Sequence, residues 1–356
     1  MIILKINNVE YELITQPTIS QSKSYRGTAI YIDKTTFSVR DELGSFMPFS
    51  DNPVIDNKVL ENNTVEIFED TTKLYSGFIL ELEPDPMNEI NVIFECVTEL
   101  KKFINNRFDY NTWTRGAGAY PVGEYHLHTD GLYYETPVYA IWHYMRSLGY
   151  TNFNTELLSV IQAIYIAAGC YIQIDTAFLN MKPHIILNYL SKKFHLFVYE
   201  DDDGLITFDH GRNYSTDFIS ITQNIENDIQ TIQKLDKYTD YKIEVGETFR
   251  TATANGNYGL QYRTEFIEPY ELLTGLIYIM NNVSADYLGT FAINKFFRDR
   301  QSLRITFDIS NAILTLLKGM KITALQRGWN EKLFEPYVIK RDFESRKYIV
   351  DCFEVL

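Results

Sequence analysis

The chain has 356 residues, with 33 basic and 47 acidic side chains and a formal net charge of −14. Apolar residues make up 45% and charged residues 22%, which excludes a disordered or fibrous chain and leaves room for two or three domains. The acidic balance argues against a partner held by phosphate neutralisation, which needs a basic face.

The N-terminal third reads as β. Ile2 to Ile6 and Val9 to Leu13 flank Asn7-Asn8, a two-residue hairpin signal. Thr28 to Val39 is rich in β-branched and aromatic residues. Val65 and Ile67, then Phe78, Leu80 and Leu82, alternate with Glu66, Glu81 and Glu83. Ile90, Val92, Phe94 and Cys96 alternate with Asn91 and Glu95. Period two with acids on the other face is the pattern of half-buried antiparallel strands, and Pro84-Asp85-Pro86-Met87-Asn88 is the turn between the last two.

The middle changes period. Val138, Ile141, Trp142, Met145 and Leu148 recur at helical spacing, with Gly149 at the C-terminal cap. Leu157 to Ala168 predicts a second helix and Pro183 to Phe194 a third, with Pro183 in its first turn. A hairpin follows: Leu196 to Tyr199, the turn Asp201-Asp202-Asp203-Gly204, and Leu205 to Phe208. From Ser215 the pattern is β again, at Lys242 to Val245 and Gln261 to Phe266, with Thr251 to Gly259 as loop. Tyr270 to Asn281 predicts a helix. Leu303 to Ile309, Met320 to Ala324, Tyr337 to Lys340 and Tyr348 to Val355 close the chain as strands.

The expected fold is mainly β with an α+β insertion, in which two similar antiparallel β-barrel-like domains flank a small α/β unit. The first tube-like β domain spans 1–110 and the α/β insertion 111–212. The second β domain spans 213–356, with a helical excursion near 270–300. Cys96, Cys170 and Cys352 form no Cys-x-x-Cys pair and are odd in number, against a disulfide scaffold or a Cys-rich zinc module. Met1-Ile2-Ile3-Leu4-Lys5 starts like a strand, not a signal peptide, and Leu157 to Tyr171 is too short and interrupted to span a bilayer. A soluble chain made in a reducing cytoplasm is expected.

An internal echo is the most informative feature. Ile93-Phe94-Glu95-Cys96-Val97 and Ile349-Val350-Asp351-Cys352-Phe353 share the order apolar, apolar, acid, Cys, apolar. Before them, Gly77-Phe78-Ile79-Leu80-Glu81 parallels Pro336-Tyr337-Val338-Ile339-Lys340. Asn63-Thr64-Val65-Glu66-Ile67 parallels Gly319-Met320-Lys321-Ile322-Thr323. The order over three strands points to two β domains of one design.

The first meander, Thr64-Val65-Glu66-Ile67 followed by Ser76-Gly77-Phe78-Ile79, resembles the first barrel of the baseplate or tail-tip hub proteins of long-tailed bacteriophages and related contractile injection devices. Gly319-Met320-Lys321-Ile322, Tyr337-Val338-Ile339 and Tyr348-Ile349-Val350 resemble the second barrel of that family. The helix from Pro183 and the hairpin ending Leu205-Ile206-Thr207-Phe208 look like its α/β unit. The resemblance covers most of the chain as pattern and leaves residues 111–136 unmatched.

That resemblance implies a non-enzymatic virion protein of the tail or baseplate, synthesised in the bacterial host cytoplasm and assembled as a homotrimer. Three chains, each with two tube-like barrels, would present six barrels in a ring. The ring would match the six-fold tail tube protein on one side and a three-fold tip or spike protein on the other, among other baseplate proteins. DNA would pass transiently through the lined channel without specific contacts, and this chain would insert in no membrane.

Candidate chemistry is sparse, and no catalytic, cofactor or metal site is expected. His126 and His128 of a His-x-His pair, with Asp130 and His143, form the best metal candidate, set against a polar aromatic loop. Asp201-Asp202-Asp203-Gly204 lacks the oxygens of a calcium loop at Tyr199 and His210 and reads as a hairpin turn. Gly116-Ala117-Gly118 has no following Lys-Ser/Thr, and acid pairs such as Glu81/Glu83 need a shared cleft to cleave glycosides. Phe296-Phe297-Arg298-Asp299-Arg300 is a short basic aromatic patch, better suited to a protein contact than to nucleic acid. Two readings stand beside the hub. One is a carbohydrate- or peptidoglycan-active enzyme with β accessory domains. The other is a different tail component, such as a distal tail or host-adhesion protein.

Overall fold

The computed structural model describes residues 2–22, 33–47, 53–56, 58–101, 136–147, 149–174, 196–201, 203–209, 218–221, 229–234, 240–245, 248–253, 262–267, 270–271, 276–279, 301–309 and 314–355, together with 50, 126–127, 133–134, 191, 194 and 287. The chain opens with β1 (Ile2–Ile6) and β2 (Val9–Tyr11). Asn7 and Asn8 between them have φ of 50° and 66°, the left-handed pair that a two-residue hairpin turn needs. β3 (Leu13–Ser22) and β4 (Lys34–Arg40) follow, then a meander of β5 (Thr64–Glu69), β6 (Thr72–Asp85) and β7 (Asn88–Val97). In β4 the buried Thr35, Phe37 and Val39 alternate with Lys34, Thr36 and Arg40 in solvent, apart from Ser38, which is buried between two of them.

Short strands β8 (His126–Leu127) and β9 (Tyr133–Tyr134) precede helices α1 (Pro137–Ser147) and α2 (Thr155–Ala167). The α2 N-cap is Asn154, whose side chain accepts the Leu157 N–H. After α1 the chain turns at Gly149 with φ 95°, where a side chain would be strained. Next come β10 (Tyr171–Ile174), β11 (Phe197–Glu200), β12 (Ile206–Asp209), β13 (Phe218–Ile221) and β14 (Ile229–Lys234). β15 (Asp240–Val245), β16 (Thr248–Thr253), β17 (Tyr262–Ile267), β18 (Tyr270–Glu271) and β19 (Leu276–Ile279) follow. The chain closes with β20 (Gln301–Asp308), β21 (Gly319–Ala324), β22 (Trp329–Asp342) and β23 (Lys347–Glu354).

The fold is mainly β with a small helical part. Three expectations change. The helix predicted over Tyr270 to Asn281 is instead β18 and β19, and β19 pairs with β10, Ile277 opposite Gln173. A short run such as Leu276-Ile277-Tyr278-Ile279 suits a covered strand as well as a helix, and a cross-chain partner decides it. The loop expected from Thr251 begins as strand, because β16 runs to Thr253. The strand expected from Thr28 is seen from Lys34 onward, and residues 28–32 lie outside the described residues. Of the helix expected over 183–194, only Ser191 and Phe194 are described, and both are helical.

The main sheet has 13 strands, in the order β14-β20-β23-β22-β3-β4-β7-β6-β5-β1-β2, with β21 beside β22 and β13 beside β21. Within it one five-strand unit occurs twice. β3-β4-β7-β6-β5 and β14-β20-β23-β22-β21 have the same order, and every pairing in both is antiparallel. The cysteines give the common register. Cys96 stands between Thr35 and Ile79, and Cys352 between Leu303 and Pro336. One residue further on, each long strand carries a bulge, at Leu80 in β6 and at Tyr337 in β22.

The echo read from sequence is therefore real in order but shifted in register. Ile79, not Gly77, answers Pro336, and Val65, not Thr64, answers Met320. The shift arises because the hairpins differ in length: Gly77 lies 12 positions after its partner Val65, whereas Phe334 lies 14 after its partner Met320. The units differ at the margin: β1 joins β5 antiparallel, whereas β13 joins β21 parallel. β15 and β17 are also parallel.

The apolar residues fall into two cores. One lies under the first unit, around Leu4, Ile19, Phe37, Val65, Phe94 and Cys96. The other runs without interruption from Val138, Ile161 and Phe208 of the helical part to Leu303, Met320 and Cys352 of the second unit. Ile309 packs against both. No described helix is long and apolar enough to cross a membrane.

Candidate assembly seam

The two units meet edge to edge. β22 is 14 residues long, and its first half pairs with β21. Its second half extends past β21 and pairs with β3, from Val338 opposite Ser22 to Asp342 opposite Thr18. A strand of the second unit thus takes the first strand of the first unit as its neighbour, and the sheet continues across the boundary.

The seam is held by a buried cation. Arg341 shares the inward parity of Ile339 and is 0% exposed. Its Nη1 donates to Gln21 Oε1 at 2.6 Å and to the Leu74 carbonyl at 3.4 Å, and its Nη2 donates to the Leu314 carbonyl at 2.8 Å. One guanidinium therefore bridges β3 and β6 of the first unit to the loop before β21. The Tyr348 ring packs nearby, and burial raises its hydroxyl pKa. A fixed fork of N–H donors suits this place, because it can meet several carbonyls at fixed angles where a lysine would meet one.

A second junction ties the first unit to the helical part. Both Glu200 carboxylate oxygens accept backbone N–H groups, of Glu99 at 3.0 Å and Leu100 at 3.1 Å. Burial pushes the Glu200 carboxyl up to about 8. The Tyr150 hydroxyl donates to the Glu99 carbonyl at 3.2 Å, and burial raises its pKa as well.

On the outer face, each unit's acid beside the cysteine meets a base from the next strand. Glu95 pairs with Lys34 at 2.5 Å, and Asp351 takes a two-pronged contact from Arg304 at 2.7 and 2.8 Å. The acid–Cys echo thus has a structural meaning: the thiol faces the core and the acid faces out beside the bulge.

The other sequence candidates are described only in part. His126 lies in β8 opposite Tyr134. His128 and Asp130 lie outside the described residues, and His143 is in α1. Asp201 is used by its own turn: its side chain accepts the N–H groups of Asp203 and Leu205 and the Thr207 hydroxyl. Among the described residues no three His, Cys, Asp or Glu side chains lie close enough to hold a metal ion. Glu81 and Glu83 are exposed on the outer half of β6. Residues 116–118 and 296–300 lie outside the described residues.

Sequence reading missed Arg341, Gln21 and Glu200. The signal for Arg341 was present, since it alternates in step with Ile339 and so belongs to the buried face. Gln21 carried the same mark, in step with Ile19 on β3, whereas Glu200 ends a strand buried at every position and carries none.

No protein-family model matches the chain, and no curated protein matches it. Solved structures share its fold over nearly its whole length. The 43 kDa tail protein of prophage MuSo2 from Shewanella oneidensis superposes with a TM-score of 0.55 at 13% identity, covering 99% of this chain and 97% of that one. The tail protein from Neisseria meningitidis MC58 gives 0.56 at 9% identity, covering 99% and 96%. Prophage tail protein gp18 from Listeria monocytogenes EGD-e gives 0.57 at 11% identity, covering 99% and 94%. At these identities the likeness establishes the fold.

Proposed function

We propose that this chain is a structural, non-enzymatic component of a phage tail, a hub of which three copies form a ring. The observation that carries the reading is the repeated five-strand unit within one sheet. A trimer of such chains presents six similar units, so a three-fold assembly can sit against a six-fold tube on one side and a three-fold tip on the other. The whole-length fold likeness to three phage tail proteins supports a place in the virion tail.

The net charge of −14 fits a channel that DNA must traverse without sticking, because acidic walls repel phosphate. The buried Arg341 and Glu200 junctions suit a mechanical role, since both tie separate parts of the chain together. Native mass measurement of the purified full chain tests the stoichiometry. Three copies are expected, and a single copy up to the highest concentration reached would contradict the ring.

A further inference from the structure

We propose that β14 of one copy adds, antiparallel, to the outer half-edge of β6 in the next copy, over Glu81 to Asp85. The proposal rests on the hub reading for the number of copies that close the ring. The joint itself is argued from the repeat.

β6 and β22 are built alike. Both have 14 residues, a short strand beside the first half, and a bulge one residue past the partner of the cysteine. In β22 the second half of that same edge is filled by β3, the first strand of the other unit. In β6 the second half has β7 on one side; on the other, among the described residues, it has no strand, although the 3-10 turn Leu60–Asn62 before β5 packs against β6. The first strand of the second unit is β14, which pairs with β20 on one side and, among the described residues, with no strand on the other.

One chain therefore holds the joint once in filled form, and holds its two halves once more, apart. β14 and β6 lie seven steps apart along the sheet and do not meet. A second copy can bring them together, and the contact is head to tail, as a closing ring requires.

The repeat also gives the register. Ile19 pairs with Thr35 and Thr231 with Leu303, and Thr35 and Leu303 both face a cysteine. Counting from Ile79 and Pro336, Pro84 answers Arg341 and Asp85 answers Asp342. The filled joint sets Arg341 opposite Ile19 and Asp342 opposite Thr18. The open joint then sets Pro84 opposite Thr231 and Asp85 opposite Gln230.

Two substitutions at the open joint agree with each other. In the filled joint the Phe343 N–H donates to the Pro17 carbonyl at 3.4 Å. Pro86 stands in the place of Phe343 and has no N–H. Ile229 stands in the place of Pro17, and its carbonyl already accepts from Arg327 Nη2 at 3.0 Å. The missing donor and the satisfied acceptor coincide. Pro84, in the place of Arg341, brings neither an N–H nor a buried cation. The joint between copies thus has the geometry of the internal seam without its clip, as fits a contact made after each chain has folded. Proline and glutamate on β6 also keep this strandless edge from pairing indiscriminately.

Cysteine cross-linking tests the register. Antiparallel partners stand about 4.5–5.5 Å apart at Cα, within disulfide reach. The three native cysteines are buried, so the background is low. The full chain carrying Asp85→Cys and Gln230→Cys, oxidised with diamide, is expected to give covalent species ending at three chains. The expected yield is at least about tenfold above either single variant and above Asp85→Cys with Lys234→Cys, which lies out of register. Should the pair fail to fold, judged by its near-UV circular dichroism, Leu82→Cys with Lys234→Cys probes the same joint. A three-copy assembly that links no better than the controls overturns the joint and leaves the hub reading standing. A chain that stays single and unlinked overturns both. Efficient linking that ends at another number, or runs on as open chains, supports the joint and overturns the trimer.

Discussion

Arg341→Met tests the internal seam. Methionine keeps much of the apolar stem and removes the guanidinium. Gln21 Oε1 and the Leu314 carbonyl, at 2.6 and 2.8 Å, then lose a charged donor inside the protein, and the Leu74 carbonyl at 3.4 Å loses a weaker one. Two orphaned acceptors at about 1–3 kcal/mol each are partly offset by no longer burying a cation, leaving a net loss of about 3 kcal/mol. That is a large part of the ~5–15 kcal/mol that ordinarily separates folded from unfolded chains. Urea denaturation followed by tryptophan fluorescence reads the loss. Adding Gln21→Met removes one of the orphans, so the double variant is expected to be at least about 1 kcal/mol more stable than additivity allows. An Arg341→Met loss below about 1 kcal/mol, or strict additivity with Gln21→Met, would refute the clip.

The Glu200 junction makes stability depend on pH. Its carboxyl is held near 8 when folded against 4.5 for the free group, so its contribution is complete below about pH 4.5 and is lost as pH rises through 8. At about 1.4 kcal/mol per pH unit the full loss amounts to roughly 5 kcal/mol, and Glu200→Gln should flatten that slope in melts from pH 5 to 9. An unchanged slope would assign the dependence elsewhere. Gly77→Ala would put a Cβ 2.4 Å from the Val97 carbonyl of the neighbouring strand, and a loss of about 2–3 kcal/mol is expected in the same urea assay. Cys96, Cys170 and Cys352 are all buried, and burial pushes the Cys96 and Cys352 thiols well up, so no thiol should react with N-ethylmaleimide at pH 8 before denaturation. Rapid labelling of any one in the native chain would contradict the core assignment.

Much of the fold was legible because local signals agreed with the tertiary outcome. Asn7-Asn8 took the turn that its side chains favour, and the acid–Cys echo marked the same bulged position in both units. Strand periodicity failed where register changed. Phe78, Leu80 and Leu82 read as one face, yet the bulge at Leu80 breaks that face, and Phe78 and Ile79 are both buried. β19 was misread because its partner β10 lies about a hundred residues earlier, and an apolar run of four residues carries no period of its own. The seam was illegible for the same reason. Arg341 and Gln21 are separated by 320 positions, and only the pairing of β22 with β3 brings them together.

The internal seam and the open edge give the molecule a graded hierarchy of contacts. Within a chain, β22 and β3 are zipped and clipped by a buried guanidinium. In the proposed contact between chains, the corresponding edge runs along the outer half of β6, with Pro84 and the exposed Glu81 and Glu83, to Pro86 just beyond it. On the proposed joint, a subunit folds first and assembles later, because only the internal seam carries the cation.

Negative-stain electron microscopy of the purified full chain, averaged without imposed symmetry, tests the central claim most directly. The account expects rings with six closely similar lobes around an open centre, of which only alternate lobes are identical. Particles with a single lobe pair, or rings whose lobes fall into clearly unlike shapes, would contradict it.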